Sequence, residues 1–241
     1  MNQHKETFIL LSSIFLLIFS IAQMSSHVKE VLSSQVFPKN NRYTVVIDPG
    51  HGGFDSGKVG IDGTLEKDIN LLIAQKLEKL LSASDIQVIM TRTTDTGLCQ
   101  ESSSNKKRED MMNRSTFMNQ PSVDCVISIH QNSYPDSSIN GAQVFYYTSS
   151  DSGKNLAALI QQELVRKVNP SNHRKIKSND SYFLLKNAAA PTVIVECGFL
   201  SNPEESKKLV DDTYQHKLAW AIHLGVIQYL NNISTNLHTS E

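Results

Sequence analysis

The chain has little of what would mark a nucleic-acid binder or a cysteine-built scaffold. Its 23 basic and 24 acidic side chains leave a formal net charge of -1, so no cationic excess is present to neutralise phosphates, and nucleic acid is not an expected partner. The three cysteines, Cys99, Cys125 and Cys197, are too few and too oddly spaced for a zinc ribbon, a CxxC redox pair or a disulfide framework. Cys125 and Cys197 fall in apolar runs, where a thiol serves as a small core residue, while Cys99 sits in a polar loop and receives no role. No internal repeat and no second module is visible. What remains, 39% hydrophobic and 20% charged residues in 241, is the composition of one globular domain.

One apolar run stands apart from that domain. Residues Phe8 to Ala22 are almost wholly apolar, follow Lys5 and end in Ser20-Ile21-Ala22, the small-x-small pattern of an export signal. The uncharged stretch from Thr7 to Ser26 is also long enough for a membrane-spanning helix, so residues 1–26 read as a cleaved signal peptide or a retained anchor. Either way the bulk of the chain is expected to work outside the cytoplasmic membrane. Residues 27–42, polar and with Pro38, read as a linker; a folded domain follows over 43–231, and 232–241 is a polar tail.

From Tyr43 onward strand-like and helix-like segments alternate, which predicts an α/β sheet flanked by helices. The opening run Thr44-Val-Val-Ile ends abruptly in Asp48-Pro-Gly-His-Gly-Gly53 and suits a buried strand delivering His51 to the rim of a sheet. Glu66 to Ser82 follows at helical spacing, with Thr64 as the expected N-cap and Glu66 in the first turn. Further strands are expected at Ile86–Thr91, Val123–His130, Gly141–Thr148 and Pro191–Glu196. Tyr182–Leu185 reads as a short strand or turn. Helices are expected at Asn105–Met118, Gly153–Val168, Pro203–Asp211 and Thr213–Leu230.

Three apolar runs therefore end on His51, His130 and Glu196, and the crevice at strand carboxyl ends is where α/β sheets bind ligands. A lone histidine at a strand end is an ordinary structural residue; the recurrence argues for a convergent site. Two imidazoles and one carboxylate make the donor set of a catalytic zinc site with one position open. Spacing leaves two carboxylates for it, Glu196 and Glu66. Glu66 opens a helix that packs back beside its strand, although a carboxylate there also stabilises a helix N-terminus.

These residues resemble the zinc-dependent N-acetylmuramoyl-L-alanine amidases of bacterial cell walls. The matching segments are Val46–Gly57, Glu66, Thr91-Arg92, Ser128–Asn132, Gly141 and Val195–Asn202, in the family's order and over essentially Tyr43 to Leu230. The resemblance implies a mixed, roughly six-stranded sheet between helical layers, one Zn2+ held by His51, Glu66 and His130, and Glu196 as the catalytic carboxylate. It implies cleavage between N-acetylmuramic acid and L-alanine, with a peptidoglycan glycan strand and its stem peptide as substrate. Glycines 50, 52 and 53 are expected to make room around the metal. Asp48 is expected to accept from the far nitrogen of a histidine or to cap the turn, and Asn132 to bind substrate or fix its loop. Arg92 and Arg114 match family positions and are expected to pair with carboxylates such as Asp95 or Glu109.

Cys197-Gly-Phe-Leu-Ser-Asn202 and the lack of wall-binding repeats are most similar to the germination-specific branch of spore-forming bacteria. That likeness implies work in the spore cortex alongside a muramic acid deacetylase that goes on to form muramic lactam. The short segment from Gln131 to Asn140 leaves little room for the inhibitory helix of division amidases, so an accessory activator protein or timed expression is the expected control. The alternatives are another zinc peptidase or deacetylase of the wall, or a non-catalytic wall-binding module.

Overall fold

The computed structural model describes residues 43–238; the signal or anchor segment and the linker lie outside them. Six strands, β1 (Thr44–Pro49), β2 (Gln87–Met90), β3 (Cys125–Asn132), β4 (Gln143–Tyr146), β5 (Lys177–Ser178) and β6 (Thr192–Phe199), form one sheet in the order β2-β1-β3-β6-β4-β5. β2, β1, β3 and β6 run parallel, β4 pairs antiparallel with β6, and β5 lies parallel to β4 at the edge. The helices are α1 (Glu66–Ala83), α2 (Lys106–Met118), α3 (Asp151–Lys167), α4 (Phe183–Asn187), α5 (Pro203–Leu209) and α6 (Asp212–His238).

Because side chains alternate along a strand, each central strand feeds two cores. Val45, Ile47, Cys125, Ile127, Val193 and Val195 face a large apolar cluster completed by α1, α3 and α6. Their neighbours Val46 and Val126 face Met118 of α2 and Leu184 of α4, and Ile194 packs with Phe145 and Leu185. The sheet thus lies between helical layers, which explains why β1, β3 and β6 are continuous apolar runs rather than alternating ones. The same alternation puts Asp48, Ser128, His130 and Glu196 on the thinner side, at the C-terminal ends of parallel strands. There the helical cover of α2 and α4 is short, so a cavity opens.

The structure differs from expectation at several boundaries. β3 runs past His130 to Asn132 and β6 past Glu196 to Phe199; His130 pairs directly with Glu196, and the register then shifts before Asn132 meets Phe199. A shift there lets both strands end beside the site. The N-cap of α1 is Leu65, in extended conformation and without a side-chain cap bond, not Thr64. Tyr182–Leu185 belongs mostly to the single-turn helix α4, whose Leu184 and Leu185 are buried. β5 falls inside the polar loop expected after α3, and α6 continues past Asn231 to His238. Residues 133–142 hold no helix.

Candidate functional site

The parallel strands and the start of α1 converge on one cluster. Glu66, with 2% of its side chain exposed, lies between two imidazoles: its Oε2 is 3.2 Å from His51 Nε2 and its Oε1 is 3.0 Å from His130 Nδ1. The backbone N–H groups of Lys58 and Gln131 donate to the same carboxylate at 2.8 and 3.0 Å. The ligand-capable atoms of His51, Glu66 and His130 all lie within 4.8 Å of one another. Burial alone would raise the Glu66 pKa, but hydrogen bonds and charge from both histidines outweigh it and hold the carboxyl far below its usual range. Burial opposes charge on His130 as well, yet the bond to Glu66 and its negative charge raise that imidazole's pKa overall.

Local backbone chemistry sets up this convergence. His51 sits in the left-handed region at φ 62, unusual for a residue with a Cβ and a mark of a position the surroundings hold in place. Its Nδ1 meets Asp55 Oδ2 at 2.9 Å, which orients the ring and leaves Nε2 for the cluster. Gly50 and Gly57 provide the room: a Cβ on Gly50 would lie 2.2 Å from His130 Cε1, and one on Gly57, itself at φ +66, would lie 2.5 Å from Glu66 Oε2. Gly52 and Gly53, expected to make room for a metal, instead face Thr96 and Gly97 and seat the following loop.

Glu196 stands apart from this arrangement. It is 8% exposed, and its Oε2 is buried without a hydrogen-bond partner among the described residues. Burial chiefly, with the nearby Glu66 charge and against the pull of His130, pushes its pKa up to about 7. A cavity of about 350 Å³ joins it to His51, Glu66 and His130, with Met111, Tyr182 and Leu184 among the remaining wall. Asn132 also lines this cavity, and its Oδ1 accepts from the backbone N–H of Ser133 at 2.8 Å.

The floor beneath is a satisfied ionic network. Asp48 Oδ1 accepts from Thr91 Oγ1 and Arg114 Nη1, each at 2.7 Å, and Oδ2 from Ser128 Oγ at 2.7 Å. Those bonds correct its expected role, because its oxygens accept from Thr91, Arg114 and Ser128 rather than from an imidazole, and Asp55 is the acceptor for His51. Arg114 also donates to Asp110 at 2.6 Å and to the carbonyls of Pro49 and His51, so its carboxylate partners are Asp48 and Asp110, not Glu109. Burial would lower the Arg114 pKa, but those carboxylates raise it overall and hold the guanidinium charged. Among the described residues Arg92 pairs with no carboxylate: it donates to the backbone carbonyls of Pro49, Gly50, Lys67 and Thr94, and Lys67 takes Asp95. Arg92 and Arg114 thus brace the strand-to-loop turn that carries His51. Asp55 was the site residue missed in sequence, because it meets His51 through a turn, where spacing does not set side-chain direction.

A family model described as N-acetylmuramoyl-L-alanine amidase (Amidase_3) matches residues 45–228. The chain is 38% identical over 188 residues to the germination-specific N-acetylmuramoyl-L-alanine amidase of Bacillus subtilis (strain 168), which covers 77% of this chain and 78% of that protein. It superposes on the CwlD amidase of Clostridioides difficile, solved in complex with the GerS lipoprotein, with a TM-score of 0.76 and 42% identity, covering 78% of this chain and 98% of that one. An N-acetylmuramoyl-L-alanine amidase from Clostridium difficile 630 gives a TM-score of 0.71 and 36% identity, covering 80% and 98%. A domain matched from within β1 to within α6, and sharing both fold and sequence with such relatives, belongs to the N-acetylmuramoyl-L-alanine amidase family, the enzymes that cut stem peptide from glycan in peptidoglycan.

Proposed function

We propose that His51, Glu66 and His130 hold one zinc ion and that Glu196 works beside it, off the metal, in hydrolysing the amide between N-acetylmuramic acid and L-alanine. The observation that carries this reading is the contrast between two carboxylates in one cavity. Glu66 is pinned between two imidazoles, whereas Glu196 keeps a buried oxygen without a partner among the described residues. The donor set fits zinc: two imidazoles and a carboxylate whose ligand atoms lie within 4.8 Å of one another, with one position left for substrate chemistry.

Zinc, when bound, supplies Lewis acidity to the scissile carbonyl and to water. Glu196 takes the proton of the attacking water as its oxygen adds to the lactyl carbonyl carbon. It then delivers that proton to the nitrogen of L-alanine as the C–N bond breaks. Burial, which raises its pKa, suits Glu196 to accept a proton and then return it. Asp55 holds the ring of His51 in one orientation throughout.

The test is mass spectrometry of muropeptides digested with and without a chelator. Free stem peptide beginning in L-alanine, lost on chelation and restored by zinc, is the expected result. Released acetate or cleavage inside the peptide would favour the deacetylase or peptidase instead, and unchanged hydrolysis after chelation would reject the metal.

The likeness to the germination-specific amidase supports a role in spore cortex, where peptide removal exposes muramic acid to a partner deacetylase that leads on to muramic lactam. Among the described residues no helix is long and apolar enough to cross a membrane, and the 1–26 signal or anchor, which lies outside them, supplies export in this reading. Residues 27–42 then serve as the tether. The solved complex of the CwlD amidase with the GerS lipoprotein supports an accessory protein as the means of control. Full activity of the purified enzyme on isolated cortex, without any addition, would argue against a required activator.

A further inference from the structure

We propose that Lys58 and Lys107 form the subsite that recognises a free carboxylate on the stem peptide next to the scissile bond, a proposal that rests on the amidase reading above. Both residues line the cavity that holds Glu196 and the His51–Glu66–His130 cluster. They reach it from different elements. Lys58 stands in the loop between β1 and α1, where its backbone N–H donates to Glu66 Oε2 at 2.8 Å and so ties the residue to the cluster. Lys107 stands in the first turn of α2, the helix whose Arg114 braces the floor.

Neither ammonium forms an ion pair among the described residues, whereas Lys67 pairs with Asp95 at 2.7 Å and Lys76 with Asp212 at 2.8 Å. A cation in a first helical turn opposes the helix dipole, so Lys107 is not placed there to stabilise α2. The positive charge of Lys58 bears on Glu196 and that of Lys107 on Asp55, and both residues line the one cavity. Tyr182, Phe183 and Leu184, which also line the cavity, offer mostly apolar surface that cannot satisfy an anion.

The substrate has a matching charge. In peptidoglycan the residue after L-alanine is D-glutamate linked through its side chain, which leaves its α-carboxylate either free or converted to an amide. A pair of unpaired lysines beside the cleaved bond selects the free acid, because an amide offers them no charge.

The full chain, loaded with zinc, is compared on two soluble muramyl peptides that differ only in that acid or amide. The wild type is expected to prefer the acid in kcat/KM, and K58Q/K107Q to lose that preference by about three- to tenfold, chiefly through KM. Rising salt should erode the wild-type preference in the same direction. K79Q, on the exposed far part of α1, should keep it and so exclude a bulk charge effect. A wild type that cleaves both peptides equally, a double variant that retains the preference, or an equal fall on both peptides would each overturn the proposal. A wild type that releases L-alanine-terminated peptide from neither substrate would instead overturn the amidase reading on which it stands.

Discussion

The floor and the mouth of the site are built from the same materials in opposite states. Asp48 and Glu196 both lie on one face of the parallel sheet and both are buried. Asp48 has both oxygens bonded, to Thr91, Ser128 and Arg114, so strong partners outweigh its burial and hold its pKa low. Glu196 has an oxygen with no partner among the described residues, and burial pushes its pKa up to about 7. A buried carboxylate that is fully satisfied stabilises the fold, and one left unsatisfied lowers stability in return for reactivity. The comparison teaches that within a few residues of strand the chain separates holding a shape from moving a proton.

That separation can be broken by substitution, and the largest effect is expected at the mouth. Glu66→Gln or His51→Ala should lose the metal and with it hydrolysis, down to background. Glu66→Gln also gives up a low-pKa buried carboxylate bonded to both imidazoles and two backbone N–H groups, so its metal-free protein should melt lower, whereas His51→Ala should move the transition less. Metal content by elemental analysis, beside a melting curve, checks this. At the floor the pattern reverses. Asp48→Asn leaves Arg114 with a lost buried ion pair and should cost about 3 kcal/mol of stability, measured by denaturant unfolding. A cost confined to activity would mean the floor is not structural.

Asp55→Ala sits between the two regimes. Without its acceptor the His51 ring loses orientation, and zinc affinity should fall roughly 10- to 100-fold with the fold intact, as a chelator competition would show. The smallest effect is on pH dependence. The folded Asp48 pKa lies below its unfolded value of 3.8, so its contribution is complete above about pH 5 and is lost as pH falls through the folded value. Asp48→Asn should therefore flatten part of the acid limb of stability and leave the neutral range parallel to the wild type.

Much of this was readable in sequence because burial on both faces writes itself as an apolar run. β1, β3 and β6 announced themselves that way, and the side chains that broke the runs, His51, His130 and Glu196, were the ones that met. Where physical signals are short, reading failed. β5 has two residues and α4 one turn, too little for any period to emerge, and the buried pair Leu184 and Leu185 suits a strand as well as a helix. Side-chain direction in a turn follows from φ and ψ rather than from spacing, so Asp55 was passed over and Asp48 credited in its place. The Arg114–Asp48 pair joins residues far apart in the chain and depends on how α2 crosses β1, which no local pattern encodes.

The central claim is that Glu196 moves the proton and does not hold the metal. Bound zinc and muropeptide turnover measured on one preparation of Glu196→Gln test it most directly. One equivalent of zinc retained, a fold at least as stable as the wild type, and turnover reduced by roughly 10²- to 10⁴-fold are expected. Loss of the zinc, or hydrolysis at the wild-type rate, would contradict it.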